Sequence, residues 1–121
     1  MKILERHDTN AICHLHMNAP DRLNALSEEM LTALQDQIDA LQQDATTRVV
    51  VISGAGKAFC AGHDLKQMTA GRQAEDGGQA YFKDLFDRCA RVMTGVQKLP
   101  QPVIAQVHGL ATAAGCQLVA S

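Results

Sequence analysis

The chain has 121 residues and a formal charge of −2, from 11 Lys+Arg against 13 Asp+Glu. That length allows one domain and excludes two packed ones, and the charge leaves no basic excess to drive counterion release from a nucleic acid. With 46% hydrophobic, 20% charged and only 3% aromatic residues, the composition is that of an ordinary globular protein rather than a disordered or fibrous one.

The N-terminus runs straight into charged residues, and no stretch approaches the ~18 apolar residues of a membrane span, so a cytoplasmic location and no membrane partner are expected. Cys13, Cys60, Cys89 and Cys116 show no C-x-x-C pair or other ligand spacing. They read as reduced thiols used as small core residues, with no metal site.

A short first strand is expected around residues 2–6, and Ile12, Cys13, Leu15 and Met17, interleaved with His14 and His16, read as a second. A hairpin through Asp8-Thr9-Asn10 would join them. Residues 18–22 form a loop, after which Ser27 is placed as an N-cap with Glu28 and Glu29 in the favourable field of the helix dipole. Met30, Leu31, Leu34, Ile38 and Leu41 then recur at helical spacing.

Residues 48–53, Arg-Val-Val-Val-Ile-Ser, are β-branched without alternation, the pattern of a strand buried on both faces in a parallel sheet. Residues 69–79 hold Gly71, Gly77 and Gly78 and no large apolar side chain, which predicts a surface loop. Helical spacing returns from Gln79, with Tyr81/Phe82, Leu85/Phe86, Cys89, Val92/Met93 and Val96 on one stripe, and stops at Leu99-Pro100-Gln101-Pro102. Residues 103–107 read as a strand, 108–112 as a turn, and Ala113 opens another helix. Strand, helical crossover, strand is a β-α-β unit, and the class is α/β. The last residues end about two turns into an apolar helix, as expected of a truncated domain.

Gly54-Ala55-Gly56 after a strand invites a nucleotide-binding reading. The dinucleotide fingerprint needs a glycine where Phe59 stands, and a P-loop needs Gly-Lys, so both fail. More informative are two clusters of small residues at strand-to-helix junctions, residues 57–66 and 109–115. Small residues let a ligand approach the backbone, and helix-initiating amides are unpaired donors in a positive field. Neighbouring strand ends lie on one edge of a parallel sheet. One amide from each cluster could therefore converge on one oxygen as an oxyanion hole, the alternative being plain close packing of glycine and alanine.

Asn24-Ala25-Leu26, Ser53-Gly54, Ala58-Phe59-Cys60-Ala61-Gly62-His63-Asp64-Leu65, Pro102-Val103-Ile104-Ala105, Gly109 and Ala114-Gly115-Cys116-Gln117-Leu118 resemble, in order and spacing, the signatures of the crotonase (enoyl-CoA hydratase/isomerase) superfamily. The form Gly62-His63-Asp64-Leu65 with Ala113-Ala114-Gly115-Cys116-Gln117 is most similar to its enoyl-CoA hydratase domain-containing subgroup rather than to the standard hydratases. The resemblance implies that residues 1–121 are the N-terminal part of one crotonase-like (ClpP/crotonase) ββα spiral domain. It further implies an acyl-CoA thioester substrate, coenzyme A only as part of that substrate, no other cofactor, and a homotrimer or hexamer at full length.

By the same resemblance, His63 and Ala114 supply the oxyanion-hole amides, and Arg22, Leu23, Ala25, Ala61, Asp64 and Leu65 line the coenzyme A and thioester pocket. Polarising a thioester carbonyl stabilises an enolate, and one well-placed donor is worth ~3 kcal/mol. Gln117 stands where hydratases of this family carry their first catalytic glutamate. Its amide holds a water but takes no proton at neutral pH, and it reads either as that water ligand or as a polar residue on a helix face. The second glutamate and the C-terminal helices that build the trimer would lie beyond Ser121. His14 and His16 share a strand face with no recognisable third metal ligand, and Lys66 either meets a coenzyme A phosphate or is a surface lysine.

Overall fold

The computed structural model describes residues 2–121. Strands β1 (Leu4–Thr9) and β2 (Ile12–Met17) form an antiparallel hairpin in which Thr9 faces Ile12. The turn is therefore Asn10-Ala11 rather than the expected Asp8-Thr9-Asn10, with φ of 52° and 65°, the left-handed pair that a two-residue hairpin of matching twist requires. β1 also starts and ends later than expected.

Helix α1 (Glu28–Gln42) starts at Ser27, whose Oγ accepts from the Met30 amide at 3.1 Å. Its buried face is Met30, Leu31, Leu34, Ile38 and Leu41, the set the spacing predicts. α1 is itself a crossover, carrying the chain from β2 to the parallel β3 (Val49–Gly54). β3 is not buried on both faces as expected. Val50 and Ile52 are buried while Val49 and Val51 are half-buried, because α1 and a later helix pack on one side of the sheet only.

After β3 come the short β4 (Ala58–Cys60) and helix α2 (Leu65–Gly71). α2 takes up the first part of the expected loop, leaving residues 72–78 as turns. It is capped by Asp64, whose carboxylate accepts from the amides of Lys66 (3.0 Å) and Gln67 (3.2 Å). A methyl at Gly71 would sit 2.4 Å from the Tyr81 ring, so only glycine lets α2 lie this close to the helix that follows.

That helix, α3 (Gln79–Lys98), buries Leu85, Cys89, Val92, Met93 and Val96 against α1 and the sheet. Phe86, on the same predicted stripe, stays half exposed at the edge of the core. α3 leads to β5 (Val103–Ala105), parallel to β3, which completes a sheet of order β1-β2-β3-β5. Residues 108–112, expected as a turn, contain β6 (Leu110–Ala111), which pairs with β4 as a second, two-stranded parallel sheet. Helix α4 (Ala114–Ala120) follows.

The four cysteines are free thiols, three buried and Cys116 exposed. Among the described residues no group of three or more His, Cys, Asp or Glu could hold a metal. His14 faces His7 across the hairpin and His16 bonds Ser53 through Nδ1 at 2.7 Å. Among the described residues no helix is long and apolar enough to cross a membrane.

Candidate active site

The two small-residue clusters meet. The Thr112 amide donates to the Cys60 carbonyl at 3.1 Å, and a methyl at Gly115 would lie 2.1 Å from that same oxygen, so α4 begins in direct contact with the end of β4. Gly62 adopts φ +100°, and a methyl there would sit 3.0 Å from Ala113 Cβ and 3.4 Å from the Ala114 nitrogen. His63 follows Gly62 and Ala114 follows Ala113, so the two residues flank a place where the chains lie too close for a side chain at position 62. Among the described residues neither of their amides donates a hydrogen bond. Ala113, which turns the chain into α4, has φ 52° and ψ −126°, a conformation alanine rarely adopts.

The third segment of the site is the irregular stretch before α1, which opens with a 3-10 turn over Pro20–Arg22. Asn24 is fully buried; its Oδ1 accepts from the Ala19 amide at 2.9 Å, and its Nδ2 donates to the carbonyls of Ala55 (2.9 Å) and Ala58 (3.0 Å). The Leu26 amide donates to Gly62 at 2.7 Å and the Ala61 amide to Leu23 at 3.1 Å. These bonds strap residues 19–26 across the β4–α2 junction.

An open cleft of about 800 Å³ runs along this junction. Arg22, Leu23, Ala25, Ala61, His63, Asp64 and Leu65 all line it, so seven residues placed by resemblance share one wall. Lys66, Gln67, Met68, Asp21 and Ala113 complete it. Ala114, the next residue in the chain, is buried and does not itself line the cleft. Gln117 does not line the cleft; it is exposed one turn along α4, its own amide bonded to the Ala113 carbonyl at 3.1 Å.

Two of the charged residues lining the cleft, Arg22 and Asp64, are paired. Arg22 Nε donates to Asp64 at 3.1 Å and its second nitrogen makes a closer contact with the same oxygen, while Nη1 approaches Glu29 at 3.7 Å. Burial pushes the Asp64 carboxyl up, but Arg22 and the amides of Gln67 and Lys66 outweigh it and hold the group below the usual carboxylate range. Burial lowers the His63 imidazole below the ordinary histidine value, opposed only by the Leu26 backbone. The His63 ring stands edge-on to Phe86, with centroids 5.6 Å apart. Sequence reasoning gave no site role to Ala113, Gln67 or Phe86. Their only signal was position: Ala113 inside the second small cluster, Gln67 just after the first, and Phe86 on the α3 stripe.

The sequence profile described as enoyl-CoA hydratase/isomerase matches residues 7–121. The chain is 46% identical over 112 residues to enoyl-CoA hydratase domain-containing protein 3 of Xenopus laevis, covering 93% of this chain and 36% of that one. It is 44% identical over 114 residues to the Homo sapiens protein of the same name, covering 93% and 35%. The crystal structure of a Mycobacterium smegmatis enoyl-CoA hydratase superposes with a TM-score of 0.90 at 50% identity, over 98% of this chain and 44% of that one. The chain thus spans well under two thirds of the length of these relatives. Both curated relatives are named as mitochondrial, which overturns the expectation of a cytoplasmic location drawn from the charged N-terminus. With the crotonase-type architecture of its N-terminal portion and the family profile matched along nearly its whole length, the chain belongs to the enoyl-CoA hydratase/isomerase family.

Proposed function

We propose that this protein is an acyl-CoA thioester enzyme of the hydratase or isomerase type, which stabilises an enolate between the amides of His63 and Ala114. The observation that carries the reading is how close Gly62 lies to the start of α4: a methyl on it would meet Ala113 and come within 3.4 Å of the Ala114 nitrogen, with the His63 and Ala114 amides both undonated among the described residues, beside a cleft of about 800 Å³. Two donors fixed in advance on one oxygen stabilise developing negative charge without reorganising. Coenzyme A enters as part of the substrate, with Lys66 at the cleft rim available to its phosphates. Full-length protein forms a trimer or hexamer, which sedimentation velocity tests.

The experiment follows the thioester carbonyl itself. Butanoyl-CoA carrying a 13C carbonyl is bound to the protein and its stretch recorded by difference infrared spectroscopy. The frequency falls on binding, and Gly62→Val, which forces a side chain against Ala113 at a left-handed φ, abolishes the shift. A carbonyl stretch that is unchanged on binding to the unaltered protein refutes the assignment.

Gln117 supports a second reading, an acyl-CoA binder that retains the cradle without acid–base catalysis. Its amide accepts no proton and it stands outside the cleft wall. Gln117→Glu discriminates: a gain in hydration of a short enoyl-CoA marks a weakened catalyst, whereas high activity in both forms removes the binder.

A further inference from the structure

His63 brings a side chain as well as an amide to the cleft. Its Nδ1 is closed off from solvent and has no hydrogen-bond partner, so any proton the ring exchanges with the cleft passes through Nε2. The ring is fixed against Phe86 of α3, at centroids 5.6 Å apart and planes inclined by 68°. Burial favours the neutral ring, and of the polar groups around it only the Leu26 backbone opposes that. Among the described residues, the other ionisable groups near the cleft are placed differently. Asp64 is occupied by Arg22 and by the first amides of α2, and Lys66 and Asp21 sit on the exposed rim. Tyr81, the ionisable side chain on the facing part of α3, has its hydroxyl buried without a partner. Gln117 cannot accept a proton and is not in the wall.

We infer that the imidazole of His63 is the proton shuttle of this cleft, a role that rests on the enolate reading given above. In hydration of an α,β-unsaturated thioester, a water oxygen bonds to Cβ as Nε2 takes that water's proton. The Cα=Cβ pair moves to form the enolate, whose oxygen is held by the two amides. The imidazolium then returns the same proton to Cα and the carbonyl re-forms. One water is consumed, nothing is oxidised or reduced, and the ring ends neutral.

The test uses trans-2-butenoyl-CoA as substrate and butanoyl-CoA as a non-reacting ligand, with His63→Ala and His63→Gln. Both variants keep the backbone amide, and the glutamine also fills the space beside Phe86. Loss of a general acid–base group lowers kcat by about 10²–10⁴-fold. KM and the infrared shift of bound butanoyl-CoA stay close to those of the unaltered protein. The acidic limb of the kcat profile, which in the unaltered protein lies below the ordinary histidine range, disappears in both variants, and added imidazole restores part of the rate to His63→Ala. Retention of the rate or of the acidic limb in both variants overturns the shuttle. So does an unaltered protein that shifts the carbonyl of butanoyl-CoA but does not hydrate trans-2-butenoyl-CoA. A missing infrared shift is a separate outcome, which removes the enolate reading and the shuttle together.

Discussion

Asn24→Ala is the most informative single perturbation of the scaffold. The side chain is fully buried and satisfies three backbone groups, the Ala19 amide and the carbonyls of Ala55 and Ala58. Each such group left unpaired costs about 1–3 kcal/mol. The Ala55 carbonyl is only partly buried and recovers a water, so the two remaining groups dominate and the expected loss is about 3–5 kcal/mol. Alanine also inherits φ 52°, a left-handed conformation that asparagine tolerates better. Asn24→Asp is the sharper control, since it keeps the acceptor for Ala19 but turns a negative oxygen toward two carbonyls, and is expected to be at least as damaging. Urea unfolding followed by circular dichroism gives both values. If either variant unfolds within about 1 kcal/mol of the unaltered protein, the strap argument is wrong.

Gly115→Ala should destabilise by at least the ~1–3 kcal/mol of overpacking and weaken butanoyl-CoA binding, because its methyl meets the Cys60 carbonyl at 2.1 Å. Gly77→Ala, with open space around it and φ +71°, pays only the backbone cost of about 1–2 kcal/mol and leaves binding intact in the same calorimetric titration. Asp64 has a folded pKa below its unfolded one, so its contribution is complete above about pH 4 and is lost as pH falls through the folded value. Asp64→Asn should therefore flatten that part of the stability–pH curve measured by thermal melts; an unchanged slope contradicts the pairing with Arg22. Native protein treated with a thiol-reactive chromophore should give one fast equivalent, from Cys116, since Cys13, Cys60 and Cys89 are buried with thiols pushed up by burial. Cys116→Ser removes that phase.

The elements long enough to show a period were readable in advance. α1 and α3 each carry several turns of apolar residues at helical spacing, and β3 is a continuous β-branched run. β4 and β6 were missed because strands of three and two residues carry no period. Their pairing depends instead on close approach, as at Gly109, where a methyl would lie 2.3 Å from the Lys57 carbonyl. α2 was hidden for a related reason: it buries no residue of its own and exists through its Asp64 cap and the fit of Gly71 against Tyr81. For the candidate site, the two small-residue clusters named from the sequence do meet, at the end of β4. That Asn24 holds three backbone groups together was not legible, since a buried asparagine and a turn asparagine look alike in sequence.

The distribution of backbone strain explains why the scaffold is tied down so heavily here. Apart from the hairpin pair Asn10 and Ala11, the described non-glycine residues with positive φ are Leu23, Asn24 and Ala113, all beside the cleft or in its wall. Such conformations cost on the order of 1–3 kcal/mol each and persist only where surrounding bonds over-determine them. Three bonds do so: Leu26 to Gly62, Ala61 to Leu23, and Thr112 to Cys60, each joining a strained segment to the end of β4 or to the residues just after it. In the proposed reaction this strain keeps the amides of His63 and Ala114 from turning toward internal acceptors. Under that proposal catalysis and stability are coupled through the same straps, and a variant that relaxes Ala113, such as Ala113→Gly, should gain conformational freedom at the donors while losing transition-state stabilisation.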